Sequence, residues 1–463
     1  VGKSSIVDPG DNTLVLHASS EIEFRNSIET MNLTVDRPVD LLIENANPIQ
    51  GGFVVNIDNH SAYLKTIRAR FSDRTCLLGE IYIGLKGANI LIEDMKFVRT
   101  EKYNRATPVI SFLDSRESVV SNCVFSETQN VTRSNEDVPA YFITFYKGYK
   151  NRLTNCQFTD KLTPGSIIVQ SYMSLKEEGG NHHTVKDCYF GPRKFTGRPT
   201  DTAIRMGGSG RWDAETSHLA VGNVIKDNTF DRYDAYYETI SIKSSGNQII
   251  GNKFLQCNGY LSLRNAGNCL IQDNEFRGSK KAGTRGVRIQ GPGHKIWNNY
   301  FENLSGVAMW IWGGTGELHS QPTKDHPVPN YVNTRDLNIR NNTIANCAVP
   351  LEFAFIGKVG NSIIPKDIEF SRNLIIADAT TTKLLSIRED GLQVDKAKVA
   401  ESLKLSDNVI AGEARVASDV RTGLSVTSRA VNKNTLRKNS KNEFLSFKAR
   451  GGRVGYSKTK KEQ

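Results

Sequence analysis

Three short phrases set a cation at similar places in successive extended segments. TISIKS carries Lys243, LSLRN carries Arg264 and GVRIQ carries Arg288. In each, apolar residues alternate with others: Ile240 and Ile242, Leu261 and Leu263, Val287 and Ile289. Alternate residues of a strand face opposite sides, so a buried apolar face turns the cations outward. AIRM presents Arg205 in the same way, and LSIRE presents Arg388. Counted back from the next Phe that closes a repeat, Lys243 lies 11 residues before Phe254, Arg264 lies 12 before Phe276, and Arg288 lies 13 before Phe301. The counts predict one outward column on successive coils, with neighbours about 4.8 Å apart. Stacked like charges repel unless an anion lies over them. The column is therefore either a seat for a polymeric anion or a basic ladder relieved by nearby carboxylates. Tyr236 or Tyr237, and Trp310 or Trp312, would suit sugar stacking if outward and would be core if inward.

A lysine among arginines fits one reaction of acidic sugars. In a uronate the C5 proton lies α to the carboxylate. A base removes it, and the glycosidic oxygen at C4 departs. Negative charge builds on the carboxylate, so fixed cations aimed there lower the barrier. A lysine beside arginines is a candidate base, because neighbouring positive charge disfavours its ammonium form. Arginine keeps its charge and suits binding and stabilisation better than proton release. Hydrolysis would instead need a carboxylate pair across the bond. No close acidic pair stands on the outward phase of the central segments.

The elements that must hold these cations are written as a repeat. Two or three alternating apolar residues are followed by Asn or Asp, a small residue, any residue and Phe. The phrase closes at Phe97, Phe125, Phe158, Phe190, Phe230, Phe254, Phe276 and Phe301, with weaker copies at Ile344, Ile375 and Ile410. The shortest intervals, from Phe230 to Phe301, are 24, 22 and 25 residues. Such short period-2 runs between Gly, Asn and Ser are strands. One coil of them cannot bury its own core and must stack on its neighbours. Two residues before the closing position stand Cys123, Cys156 and Cys188, then Asn228, Asn252, Asn274, Asn299, Asn342, Asn373 and Asn408. Small apolar Cys suits a buried column, and stacked Asn amides can bond along the axis. The fold expected is all-β: a single right-handed parallel β-helix over residues 1–463. A short capping helix is expected near residues 20–33, with Ser20 and Glu23 as a capping box, followed by coils to about 425 and a basic segment over 426–463.

The formal net charge of +11 favours polyanionic partners. Seven cysteines without a CxxC pair give neither a disulfide framework nor a structural zinc site. The sequence has no apolar run long enough to span a membrane.

At the cation-bearing phrases the sequence resembles polysaccharide lyase family 6, the bacterial group of alginate lyases and chondroitinase B. The matching pieces are GNHHTVKDCYFGPR at Gly180–Arg193, AIRMGGSG at Ala203–Gly210, ETISIKSSGN at Glu238–Asn247, LSLRNAGN at Leu261–Asn268 and GVRIQGPGHKIWNNYF at Gly286–Phe301. The resemblance implies that Lys243 is the Brønsted base, that Arg264 is the acid or leaving-group-side residue, and that Arg288 holds substrate. Arg205, Glu238, Tyr236, His183, Arg193, His294, Trp310 and Trp312 are expected around the substrate. GPGHK at His294 is also a faint echo of a hydrolase motif.

The sequence departs from the family at its calcium site, which is built from an Asn and two Glu. Pro199 stands where the Asn would be and Tyr236 where the first Glu would be, leaving Glu238 with Asp201 as a weak substitute. The expectation is catalysis without calcium or any other cofactor. Asn265 stands where the family usually has His. The expected substrate is alginate, favouring mannuronate-rich stretches. The alternatives are a dermatan or chondroitin sulfate lyase and a non-catalytic glycan-binding β-helix. The expected setting is secreted or periplasmic, as a monomer or weak dimer, with no nucleic-acid partner.

Overall fold

In a computed structural model, residues 83–99, 108–128, 140–170, 182–194, 201–207, 220–264, 266–316, 331–356 and 362–411 are described in full. For other strands only the backbone is described. The chain divides into two compact units, Val1–Gly208 with Asp234–Tyr236, and Ser209–Tyr233 with Tyr237–Gln463. Each unit is a stretch of right-handed parallel β-helix, in which every coil gives one strand to each of three parallel sheets.

The core of each unit follows from stacking like on like. In the first unit, Ile92, Val120, Leu153 and Val185 align on the first sheet, and Phe97, Phe125, Phe158 and Phe190 on the second. Ile110, Ile143, Ile168 and Ile204 align on the third. The phenylalanine rings stack 4.9, 5.0 and 5.0 Å apart. In the second unit, Phe230, Phe254, Phe276 and Phe301 repeat the stack at 4.8, 4.4 and 4.8 Å.

The Asn or Asp of the repeat has a backbone role. Asp94, Asn122, Asn155 and Asp187, then Asp227, Asp273, Asn298, Asn341 and Asp407, all have φ between 53° and 58°. They form the corner between the first and second sheets. Asn and Asp tolerate this left-handed region better than other non-glycine residues. The corner turns the next side chain inward, which is why Cys or Asn follows.

That inward residue makes the second unit's ladder. Asn228, Asn252, Asn274, Asn299, Asn342 and Asn373 each donate Nδ2 to the Oδ1 of the next, ending on Asn408, at 2.9–3.1 Å. Each backbone N–H bonds the same oxygen. In the first unit, Cys123, Cys156 and Cys188 fill the position as buried thiols, and the six described cysteines are all free.

The expected capping helix is only partly testable. Residues 20–30 lie outside the described residues, while Met31–Thr34 is a strand, so a helix does not reach residue 33. In the basic C-terminal segment, Arg437–Lys438, Phe444–Ala449 and Gly452–Val454 pair as short antiparallel strands. Among the described residues no helix is long and apolar enough to cross a membrane.

Candidate active site

The third sheet of the second unit carries most of the expected site. Its strands are Glu238–Ile242, Tyr260–Leu263, Val287–Ile289, Val307–Trp312, Val349–Ile356 and Leu385–Asp390, paired in that order. Ile240, Leu261, Val287 and Met309 point into the core, as do Ile242, Leu263, Ile289 and Ile311. The residues between and after them face out.

The register sorts the cations. Ile242 pairs with Leu263, and the Arg264 N–H donates to the Ile242 carbonyl at 2.8 Å, which sets Arg264 against Lys243. Leu263 then pairs with Ile289, so the residue that stands against Arg264 on the next coil is Gln290, not Arg288. Arg288 pairs instead with Ser262, between the two inward residues of its strand. The expectation that Arg288 continues the Lys243–Arg264 column is corrected: it stands two residues back along the strand. Counting from Phe301 misplaced it because the connection after Ile289 is as short as the one after Ile242, so the residue that matches Lys243 is Gln290, two residues after Arg288.

Arg288 is also buried. Its Nη1 lies 3.5 Å from Glu238 Oε1, and its guanidinium lies 3.7 Å over the Trp312 ring. Burial alone would raise the Glu238 carboxyl. Arg288, then Arg264 and Lys243, outweigh it and hold the carboxyl below its ordinary range. Glu238 is therefore an anion enclosed by three cations.

The tryptophans cushion arginines. Trp310 and Trp312 face outward by phase, but only 4 % and 7 % of their surface is accessible. Trp310 stacks on Tyr260 at 5.1 Å and meets Trp312 edge-on at 5.0 Å, and Arg388 lies 5.8 Å over Trp310. The expectation that they offer open faces for sugar stacking is corrected. Exposed rings stand elsewhere: Tyr237 in this unit, with Arg285 lying 5.8 Å over it, and Tyr236 in the first.

One neighbour has no sequence signature. Arg264 Nη2 donates to the Tyr331 hydroxyl at 2.9 Å, across 67 residues of chain, and the guanidinium lies 5.4 Å over the Tyr331 ring. Tyr331 is held by Thr315, whose N–H and Oγ1 donate to its carbonyl at 2.8 and 3.1 Å. Its ring meets Trp312 edge-on at 6.1 Å.

Three expected substrate contacts are internal. His294 is fully buried, accepts the Cys269 N–H at Nδ1 (3.2 Å) and so donates from Nε2 to the Gln290 carbonyl (3.1 Å). Burial drops its pKa to about 4. It stitches the turn at Gly291, where φ is +103° and a Cβ would lie 1.9 Å from the Ala266 carbonyl. In the first unit, His183 is buried 4.4 Å from the Phe145 ring, with its pKa dropped to about 3 by burial and by His182. Arg193 is buried too. It pairs with Asp201 at 3.0 Å and donates to the Gly165 and Thr163 carbonyls. None of the three has surface to offer a glycan, so these expectations are corrected. Arg205, on the strand Ile204–Met206 of the first unit, is half-buried between two core residues and faces out.

Of the calcium-site positions, the two described carboxylates are each already partnered by the chain. Glu238 already faces Arg288, and Asp201 accepts both Arg193 and the Gly165 N–H. Calcium wants six to eight oxygens. Among the described residues no group of three or more acidic, His or Cys side chains converges to hold a metal. Pro199 and Asn265 lie outside the described residues.

A family model described as chondroitinase B matches residues 57–446. No curated protein matches the chain significantly. Among solved structures, a mannuronic-acid-specific family 6 lyase from human gut microbiota aligns with a TM-score of 0.64 at 20% identity, covering 87% of this chain and 86% of that one. The family 6 polysaccharide lyase Pedsa3628 from Pseudopedobacter saltans aligns with a TM-score of 0.65 at 18% identity, covering 97% and 100%. The family 6 alginate lyase AlyGC aligns with a TM-score of 0.70 at 20% identity over 93% of this chain, which spans only 54% of AlyGC's length. At such identities these likenesses concern the fold.

Proposed function

This chain belongs to the chondroitinase B family, polysaccharide lyase family 6, and on that premise we propose that it cleaves alginate by β-elimination, favouring mannuronate-rich stretches. The observation that carries the reading is the pairing of Lys243 with Arg264 on adjacent outward positions of one sheet. A neutral Lys243 amine takes the C5 proton, and the electron pair forms the C4–C5 double bond. Arg264 supplies fixed positive charge on the leaving-group side. Family 6 alginate lyases among the structural neighbours favour alginate over sulfated glycosaminoglycans.

We further read the reaction as independent of calcium. The support is the enclosure of Glu238 by Arg288, Arg264 and Lys243. Cations of the chain stand where a family metal would be needed, and Arg205 adds charge on the first unit's outward face. The reading places the protein outside the cytoplasm, where acidic polysaccharides are met.

The test is incubation with alginate, polymannuronate, polyguluronate and dermatan sulfate, followed by the ultraviolet absorbance of the unsaturated product. Polymannuronate should be cut fastest. Lys243→Ala should abolish the signal while thermal melting stays unchanged, since Lys243 faces outward. A Lys243→Ala protein with the wild-type rate would sink the mechanism. Exhaustive chelation should leave the wild-type rate intact; loss of activity restored by calcium would sink the metal-free reading.

A further inference from the structure

We infer that Tyr331 donates the proton to the departing O4, with Arg264 as its charged support. The inference rests on the lyase reading above. A guanidinium has donors and no acceptor. In the 2.9 Å contact the Tyr331 oxygen must therefore accept from Arg264 Nη2. The phenolic hydrogen then points away from Arg264. Among the described residues, no protein acceptor takes it. A hydroxyl whose oxygen is fixed by a cation, and whose proton is uncommitted, is an acid waiting for an acceptor.

Arginine is poorly suited to that task, because it does not give up a proton in proteins. Tyr331 can do so, and its contact with Arg264 survives the transfer. The oxygen left behind faces a fixed guanidinium, so the developing charge meets a pre-set partner. The backbone of Tyr331 is fixed independently of substrate by Thr315 and by the bridge between Gly316 and Val332. Its ring rests edge-on against Trp312, the same ring that carries Arg288. The phenol is therefore positioned by the same aromatic layer as the cations.

The balance of the step is complete. The C5–H bond breaks, and its proton goes to the Lys243 amine. The electron pair forms the double bond as the C4–O4 bond breaks. O4 takes the proton from Tyr331. The Lys243 ammonium then loses its proton to solvent and the Tyr331 oxygen regains one, with no net use of water.

The decisive comparison uses two leaving groups. On polymannuronate, Tyr331→Phe keeps the ring and should lower kcat by about 100-fold or more. On a short mannuronide whose C4 oxygen is replaced by fluorine, fluoride leaves without a proton, and Tyr331→Phe should run close to wild type. Lys243→Ala should be inactive on both. An unchanged rate for Tyr331→Phe on the polymer, or an equal loss on both substrates, overturns the assignment. A wild-type protein that yields no unsaturated product from any uronan overturns the lyase reading itself and this assignment with it. An active wild type with an insensitive Tyr331→Phe overturns the assignment alone.

Discussion

At one position in the coil, the two units hold different chemistry. The first has a column of thiols, Cys123, Cys156 and Cys188, and the second has the asparagine ladder from Asn228 to Asn408. Both sit just inside the same left-handed corner. As weak donors, the thiols bond the carbonyl two residues back at 3.1–3.3 Å, and Cys156 and Cys188 reach a carbonyl of the preceding coil only at 3.8 Å. Each interior asparagine spends both Nδ2 hydrogens and accepts twice. Asn274, for example, donates to Asn299 and to the Ile249 carbonyl, and accepts from the Asn252 backbone and side chain. The corner needs something small, but the fold does not dictate whether it is weakly or strongly bonded. The cross-braced unit is the one that carries Lys243, Arg264, Arg288 and Tyr331.

The sharpest way to break this comparison is to remove a rung. Asn274→Ala removes the acceptor of the Asn252 backbone N–H and of one Asn252 Nδ2 hydrogen, and the donor to the Ile249 carbonyl, and should cost about 3–5 kcal/mol in denaturant unfolding. Cys156→Ala should cost only about 1 kcal/mol. Equal costs would mean that the ladder adds nothing beyond filling space.

Acid should separate the units next. His294 is neutral in the folded second unit, with a pKa of about 4, and ordinary imidazole takes its proton near 6.5. The unfolded chain thus binds more protons between those values. Stability is full above about pH 6.5 and declines as pH falls toward 4, by on the order of 3 kcal/mol for a group shifted this far. His183, in the first unit, is shifted further, to about 3, so its loss begins at the same pH and continues lower. Amide exchange should therefore show both sites weakening together down to about pH 4, and between about pH 4 and 3 the surroundings of His183 should go on losing protection while those of Cys269 level off. A Cys269 region unaffected between about pH 6.5 and 4 would contradict the assignment of His294 as the stitch of its turn.

The smallest expected effect concerns the aromatic cushion. Arg288→Lys keeps the charge near Glu238 but loses the flat contact with Trp312, and should cost about 1–2 kcal/mol of stability. An unchanged melting temperature would show that the stacking is incidental.

The sequence states the coil plainly because the coil is local. Phe, Asn and Cys recur at fixed offsets, and alternation separates Lys243 and Arg264 from Ile242 and Leu263. Membership of the lyase family was legible in the same phrases. The true place of Arg288 was legible too, though not by counting from Phe301: it lies between Val287 and Ile289, whereas Arg264 follows Leu263. The burial of Trp310 and Trp312 was not legible, because outward phase says nothing about what lies on top. Tyr331 was illegible for a similar reason. Its contact with Arg264 joins residues 67 apart and belongs to no repeat.

The asparagine ladder also bears on how the chain assembles. Its rungs join residues 22 to 43 apart, the longest being Asn299 to Asn342. Doubling such a closure adds only about 0.6 kcal/mol of entropy. Each finished coil presents aligned donors and acceptors to the next stretch of chain. Ordering can therefore spread from any completed coil to its neighbour, in the manner of a zipper, without waiting for distant ends of the chain to meet.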